Sequence, residues 1–184
     1  MAVAGRVLRI GAVAGMALGL GGCLAVPEGI TPVTGFDAER YTGTWYEIAR
    51  FDYVFERGLR NVTATYSLNS DGSVRVFNRG VDENNCVPRE REGSARFIGA
   101  QDVASLSVSF FGNIGAGYHV FELDPSYRTA LVSGASRDYL WILSRTPTLD
   151  DATLSRLLST AEDAGFDIDD LIIVDQSAAC TPRA

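Results

Sequence analysis

The sequence predicts an all-β domain, an antiparallel sandwich or barrel of eight strands, with one late α-helix packed on its outside. Three observations carry this expectation. Eight short runs rich in β-branched and aromatic residues follow one another, separated by turn residues. Several of these runs alternate apolar and polar positions, the period of a half-buried strand. Near the C-terminus a single stretch changes to a helical period.

The chain opens with Arg6 and Arg9, then an uncharged Ala/Gly/Val/Leu-rich run over residues 10–20. A short basic region before an apolar core too brief for a comfortable membrane span reads as a secretory signal peptide over residues 1–22. It ends in Leu20-Gly21-Gly22-Cys23, which resembles a bacterial lipobox, with Cys23 as the lipidated residue. The alternative is an ordinary cleavage that leaves Cys23 a free thiol, a reactive liability in an oxidising compartment. Residues 23–35 contain Pro27, Gly29, Pro32 and Gly35 and are expected to form a tether between the anchor and the domain at 36–184.

The strand-like runs are 45–51, 62–68, 73–79, 93–98, 104–111, 118–123, 129–133 and 139–145, with Asn69-Ser70-Asp71-Gly72 as a hairpin turn. The helix follows Pro147. Leu154, Leu157, Leu158 and Ala161 form its apolar stripe, Thr148 is its expected cap, Asp150 and Asp151 suit its positive end, and Gly165 suits its C-terminal exit. A short strand at 171–174 comes last.

Removal of residues 1–22 leaves 162 of 184 residues, one domain's worth, with 14 basic residues against 23 acidic ones, a balance of −9. Every basic residue is arginine. That surface argues against nucleic acid and against electrostatic attachment to anionic lipid, so membrane association falls to the acyl chains. With Cys23 acylated, Cys86 and Cys180 remain as a pair, either bridged or as two thiols. The bridge is the expectation in a disulfide-permissive compartment. His119 is the one histidine and no C-x-x-C occurs, which argues against zinc.

Asp37-Ala38-Glu39-Arg40-Tyr41-Thr42-Gly43-Thr44-Trp45-Tyr46-Glu47-Ile48 resembles the signature of the lipocalin family around G-x-W. Glu122-Leu123-Asp124-Pro125-Ser126-Tyr127-Arg128 and Tyr139-Leu140-Trp141-Ile142-Leu143-Ser144-Arg145-Thr146-Pro147 resemble that family's acidic turn and its eighth strand. Phe110-Phe111-Gly112 and Arg137-Asp138-Tyr139 are similar to its bacterial outer-membrane lipoprotein members. The resemblance implies an eight-stranded up-and-down barrel with the helix outside, plugged at one end by Gly43, Trp45 and Arg145. It implies an outer-membrane location, consistent with Leu24 after the cysteine, on the periplasmic side. It implies a fatty acid or lysophospholipid as ligand, and it admits a homodimer.

Strand phase then selects a cavity wall. Glu47, Ala49 and Phe51 share a face with Trp45; Ala64, Tyr66 and Leu68 come from the second run; Val74, Val76 and Asn78 from the third; Tyr139, Trp141 and Leu143 from the eighth. These residues either line a cavity or fill a solid core. Glu47 stands out, because a carboxylate facing a barrel interior must be hydrogen-bonded, paired or protonated. Three functions compete: a carrier of small hydrophobic molecules without cofactor, an enzyme on the same fold, and a structural lipoprotein with a filled barrel. A solitary His119 gives the enzyme little to work with, and it is also a poor basis for haem or bilin.

Overall fold

The computed structural model describes residues 22–112, 114–177 and 180; the expected signal peptide lies almost wholly outside them. A one-turn helix, α1 (Ala38–Tyr41), precedes eight strands: β1 (Gly43–Arg50), β2 (Leu59–Leu68), β3 (Val74–Asp82), β4 (Pro88–Phe97), β5 (Ser105–Phe111), β6 (Ile114–Leu123), β7 (Thr129–Ser133) and β8 (Leu140–Ser144). Helix α2 (Asp151–Asp163), a 3-10 turn at Ile168–Asp170 and the two-residue β9 (Ile172–Ile173) follow. From β1 to β8 each strand pairs antiparallel with the next, and β1 pairs with both β8 and β2, so the sheet closes into a barrel. The expected eight-stranded barrel with an outer helix is the observed architecture.

Where strand boundaries differ from the expected ones, the strands are longer at one end of the barrel. β4 starts at Pro88 through a Pro-Arg-Glu-Arg-Glu run, and β6 starts at Ile114 through Ile-Gly-Ala-Gly. There the strands project beyond the core, both faces meet water, and no alternation of hydrophobicity marks them. The same end carries the β1–β2, β3–β4, β5–β6 and β7–β8 loops and forms the mouth; α1 covers the other end.

Two cores result. The inner one fills the barrel and includes Phe36, Tyr41, Trp45, Val76, Leu106 and Val132. The outer one lies between the sheet and α2, where Leu157 and Ala161 meet Ile48, Leu131, Leu140 and Ile142. Cap chemistry corrects one expectation. Asp150, rather than Thr148, is the N-cap of α2, its carboxylate accepting from the Thr153 amide, while Thr148 uses its carbonyl to accept from Thr146. Gly165, at φ +83°, makes the left-handed exit.

Residues 24–35 do not stand free as a tether. Gly117 N–H donates to the Cys23 carbonyl, His119 Nε2 reaches the Ala25 carbonyl at 3.0 Å, and Val33 exchanges backbone bonds with Val120 and Ala104. Ile30 is buried in the outer core. Pro and Gly in this stretch therefore shape a strap along β6 rather than a flexible spacer.

The C-terminal tail closes a seam. β1 and β2 pair only over Gly43–Tyr46 with Thr63–Tyr66, on the side away from the mouth. Beyond that the tail enters between them: β9 pairs with β1, Asn61 N–H donates to Asp175, and Gln176 Nε2 donates to the carbonyls of both Glu47 and Val62. The Cys86–Cys180 disulfide, spanning 94 residues, fastens this tail to the β3–β4 loop. The bridge is present, as expected. Replacing both cysteines (Cys86→Ser with Cys180→Ser) should lower the unfolding free energy by about 2–4 kcal/mol in urea. Amide exchange should rise first at Asn61 and Val174; unchanged protection there would contradict the wedge.

Candidate functional site

The base of the barrel is sealed by Trp45 and Arg145. Trp45 is fully buried and its Nε1 donates to the Tyr41 carbonyl at 2.9 Å. The Arg145 guanidinium lies 4.0 Å over its ring, with Nη1 donating to Thr44 O, Nη2 to Arg40 O and Nε to Tyr127 O. One planar cation thus satisfies three carbonyls, one each from α1, the start of β1 and the β6–β7 turn, while covering the ring. Gly43 is required beside it: its φ is +92°, and a Cβ there would stand 3.3 Å from Arg145 Nη1.

Above the plug three phenols meet. Tyr41 and Tyr118 hydroxyls are 2.7 Å apart, and Tyr66 lies 2.9 Å from Tyr118. Burial pushes all three pKa values upward, so the ring hydroxyls stay protonated. Three hydroxyl hydrogens serve two contacts, so one donor is left for the cavity these rings border. That cavity measures about 20 Å³ and is also lined by Phe36, Val74, Leu106 and Val108. It has room for one water, not for an acyl chain.

The upper barrel holds the charge. β1 carries a bulge: Glu47 pairs with Leu143, yet Ala49, not Ile48, pairs with Ile142. The extra residue reverses the phase of the strand beyond it. Ala49 and Phe51, expected on the cavity wall, face α2 in the outer core, and Arg50 takes the inner position beside Trp141. Arg50 is 2% exposed. Its Nε is 3.1 Å from Glu47 Oε1 and 3.5 Å from Glu56 Oε2, and its Nη2 donates to the carbonyls of Glu56 and Leu59. Among the described residues, Nη1 has no hydrogen-bond partner, and Glu47 Oε1 accepts none of good geometry. Burial, then repulsion from Glu56, hold the Glu47 carboxyl well above the usual range, with Arg50 opposing.

The other expected wall residues divide by position. Ala64, Tyr66, Val74, Val76, Trp141 and Leu143 pack in the inner core. Asn78 lies one inward step from Val76 toward the mouth, with Oδ1 buried and without a partner among the described residues. Tyr139 sits at the mouth, 6.3 Å from the Trp141 ring and edge-on to Tyr53. Leu68 is exposed at the far end of β2, past the core, and is not part of the wall. Sequence phase missed Arg50, Tyr53, Glu56 and Tyr118. For Tyr118 the signal was present, two residues before the inward Val120; for Arg50 it was the adjacent Ile48-Ala49 pair, two apolar residues in succession where a regular strand would alternate.

His119 is a structural residue. It is fully buried, with Nδ1 2.9 Å from Ser105 Oγ and Nε2 at the Ala25 carbonyl. Nε2 therefore carries the proton and Nδ1 accepts from Ser105. Burial lowers its pKa, partly offset by the Ala25 contact.

A closed antiparallel barrel with a sealed base, a covered mouth and a polar cluster under that cover is the architecture of a small-molecule container. A family model described as a lipocalin-like domain matches residues 36–176. The Outer membrane lipoprotein Blc of Escherichia coli (strain K12) is 54% identical over 150 residues, covering 82% of this chain and 85% of that protein. That of Vibrio cholerae is 46% identical over 158 residues, covering 85% and 92%. Among solved structures, insecticyanin of the tobacco hornworm Manduca sexta aligns with a TM-score of 0.67 at 21% identity, covering 86% of this chain and 90% of that one, a likeness of fold. The chain belongs to the lipocalin family.

The geometry leads to two measurable outcomes. Arg145→Ala, which strips three carbonyls and one ring of their partner, should destabilise by about 2–4 kcal/mol in denaturant titration, with Arg145→Lys recovering only part. Between the ordinary carboxylate pKa and the raised pKa of Glu47, the folded chain binds more protons than the unfolded one. The Glu47 contribution to stability therefore falls as pH rises through that window. Glu47→Gln should remove this decline from a melting-temperature profile; an unchanged slope would mean Glu47 is ionised in the fold.

Proposed function

We propose that this chain is a lipid-anchored outer-membrane protein, facing the periplasm, that binds one amphiphile, a fatty acid or lysophospholipid, inside the barrel. The observation that carries this is Arg50, buried yet holding an unused Nη1 donor among apolar and aromatic walls. A carboxylate or phosphate oxygen is the acceptor that such a donor suits. The acyl chain would lie among Val74, Val76, Leu106, Val108 and Val132. Entry requires loop 51–58 to move and the interior aromatic rings to rotate, because the enclosed space is small. The anchor reading rests on Cys23, which is exposed and free, and on relatives named outer membrane lipoproteins.

The small cavity favours a second reading, a filled barrel that holds nothing. Native mass spectrometry of protein extracted from membranes without delipidation separates the two: a co-purifying acyl amphiphile supports the first, an empty chain with no uptake the second. The head-group assignment has its own test in Trp141, whose Nε1 donates to the Tyr53 hydroxyl at 2.7 Å and so reports on the mouth. Titrations followed by its fluorescence should show Arg50→Gln weakening fatty-acid and lysophospholipid binding by about tenfold or more. A fatty alcohol of equal length should bind both proteins alike. Equal loss for all ligands would refute the head-group role.

A further inference from the structure

The mouth is covered by side chains that water does not favour. Val54, Phe55, Phe111 and Ile114 are 71%, 64%, 58% and 79% exposed. They come from loop 51–58 and from the facing ends of β5 and β6, yet the Phe55 and Phe111 rings sit 6.3 Å apart, with the Arg91 guanidinium 5.7 and 4.8 Å over them. Loop 51–58 is two-sided: Tyr53 and Glu56 turn inward to Trp141 and Arg50, while Val54 and Phe55 turn out. A clustered apolar patch of this kind marks an interaction surface.

The position of Cys23 identifies the partner. Its carbonyl is bonded to Gly117, the Leu24 side chain lies over Gly115, and His119 holds Ala25. Cys23 is thus fixed to the mouth end of β6, and Gly117 is three residues, about 10 Å along a strand, from Ile114. We propose that the rim formed by Val54, Phe55, Phe111 and Ile114 is a membrane-docking surface. The barrel stands mouth-down on the leaflet that holds the Cys23 acyl chains, with the rim in the interfacial layer and Arg91 at phosphate depth. The orientation rests on lipidation of Cys23; the apolar rim is an independent observation. For a chain whose net charge opposes anionic lipid, insertion of apolar side chains supplies the second attachment that stable anchoring uses. An amphiphile could then pass between leaflet and barrel without crossing water.

The test is partition of the Cys23→Ser protein, which has no acyl chains, into phosphatidylethanolamine–phosphatidylglycerol vesicles. We expect measurable binding that falls about tenfold or more in Phe55→Ser/Phe111→Ser/Ile114→Ser. Ile98→Ser, an exposed apolar position at the base, should leave it unchanged; circular dichroism and melting temperature check the fold of each variant. No binding by the Cys23→Ser protein, or equal binding by the triple variant, overturns the proposal. So does a triple variant that changes only oligomeric state in size-exclusion chromatography, since the rim would then join two copies of the chain. Labelling of the wild type with a fatty-acid analogue, with Cys23→Ser as control, reports on the anchor separately: no label with rim-dependent partition intact removes the anchor and keeps the rim.

Discussion

A guanidinium taken out of water sets the terms for the mouth half of this barrel. Burial of an arginine costs several kcal/mol unless carboxylates and carbonyls gather around it. Arg50 gathers them from three places: Glu47 one turn of the pleat away on its own strand, Glu56 from the loop above, and the carbonyls of Glu56 and Leu59. The bulge at Ile48-Ala49 is what brings Arg50 inward. The fold of loop 51–58 over the mouth follows from the contacts it makes there. Even the seam between β1 and β2 is involved, since Gln176 closes it by binding the carbonyl of Glu47.

The two ends of the barrel solve opposite problems with the same residue type. At the base, Arg145 commits its donors to three carbonyls and covers Trp45, which leaves a closed floor. Near the mouth, Arg50 keeps Nη1 in reserve. A buried donor without an acceptor is unfavourable in the empty protein and becomes an attraction when a ligand oxygen arrives. In the proposed function, that asymmetry would orient an amphiphile with its tail toward the phenols and its head toward the mouth.

Much of this was legible in the sequence. The eight runs, the late helix and the Gly43–Trp45–Arg145 plug were readable because each leaves a local mark: alternation, a helical stripe, or a motif. The inner wall was readable on β2, β3 and β8 up to the point where strands leave the core, which is why Leu68 fell outside it. On β1 the reading failed at a single inserted residue, which turned Ala49 and Phe51 toward the helix and Arg50 toward the interior. A bulge is set by the pairing partners, and β1 must satisfy β8, β2 and β9 together. Nor does a Pro/Gly-rich stretch announce that His119 and β6 will hold it down. Those contacts are long-range, and composition does not carry them.

Arg50 is proposed to receive the polar head of a ligand whose chain fills the barrel. The decisive measurement is a crystal structure of the protein with a bound 1-acyl lysophospholipid. The expected result is a phosphate oxygen within hydrogen-bond distance of Arg50 Nη1 and the acyl chain running toward Tyr66 and Tyr118. A chain lying in the reverse direction, with its head at the phenols, or a ligand bound outside the barrel, would contradict it.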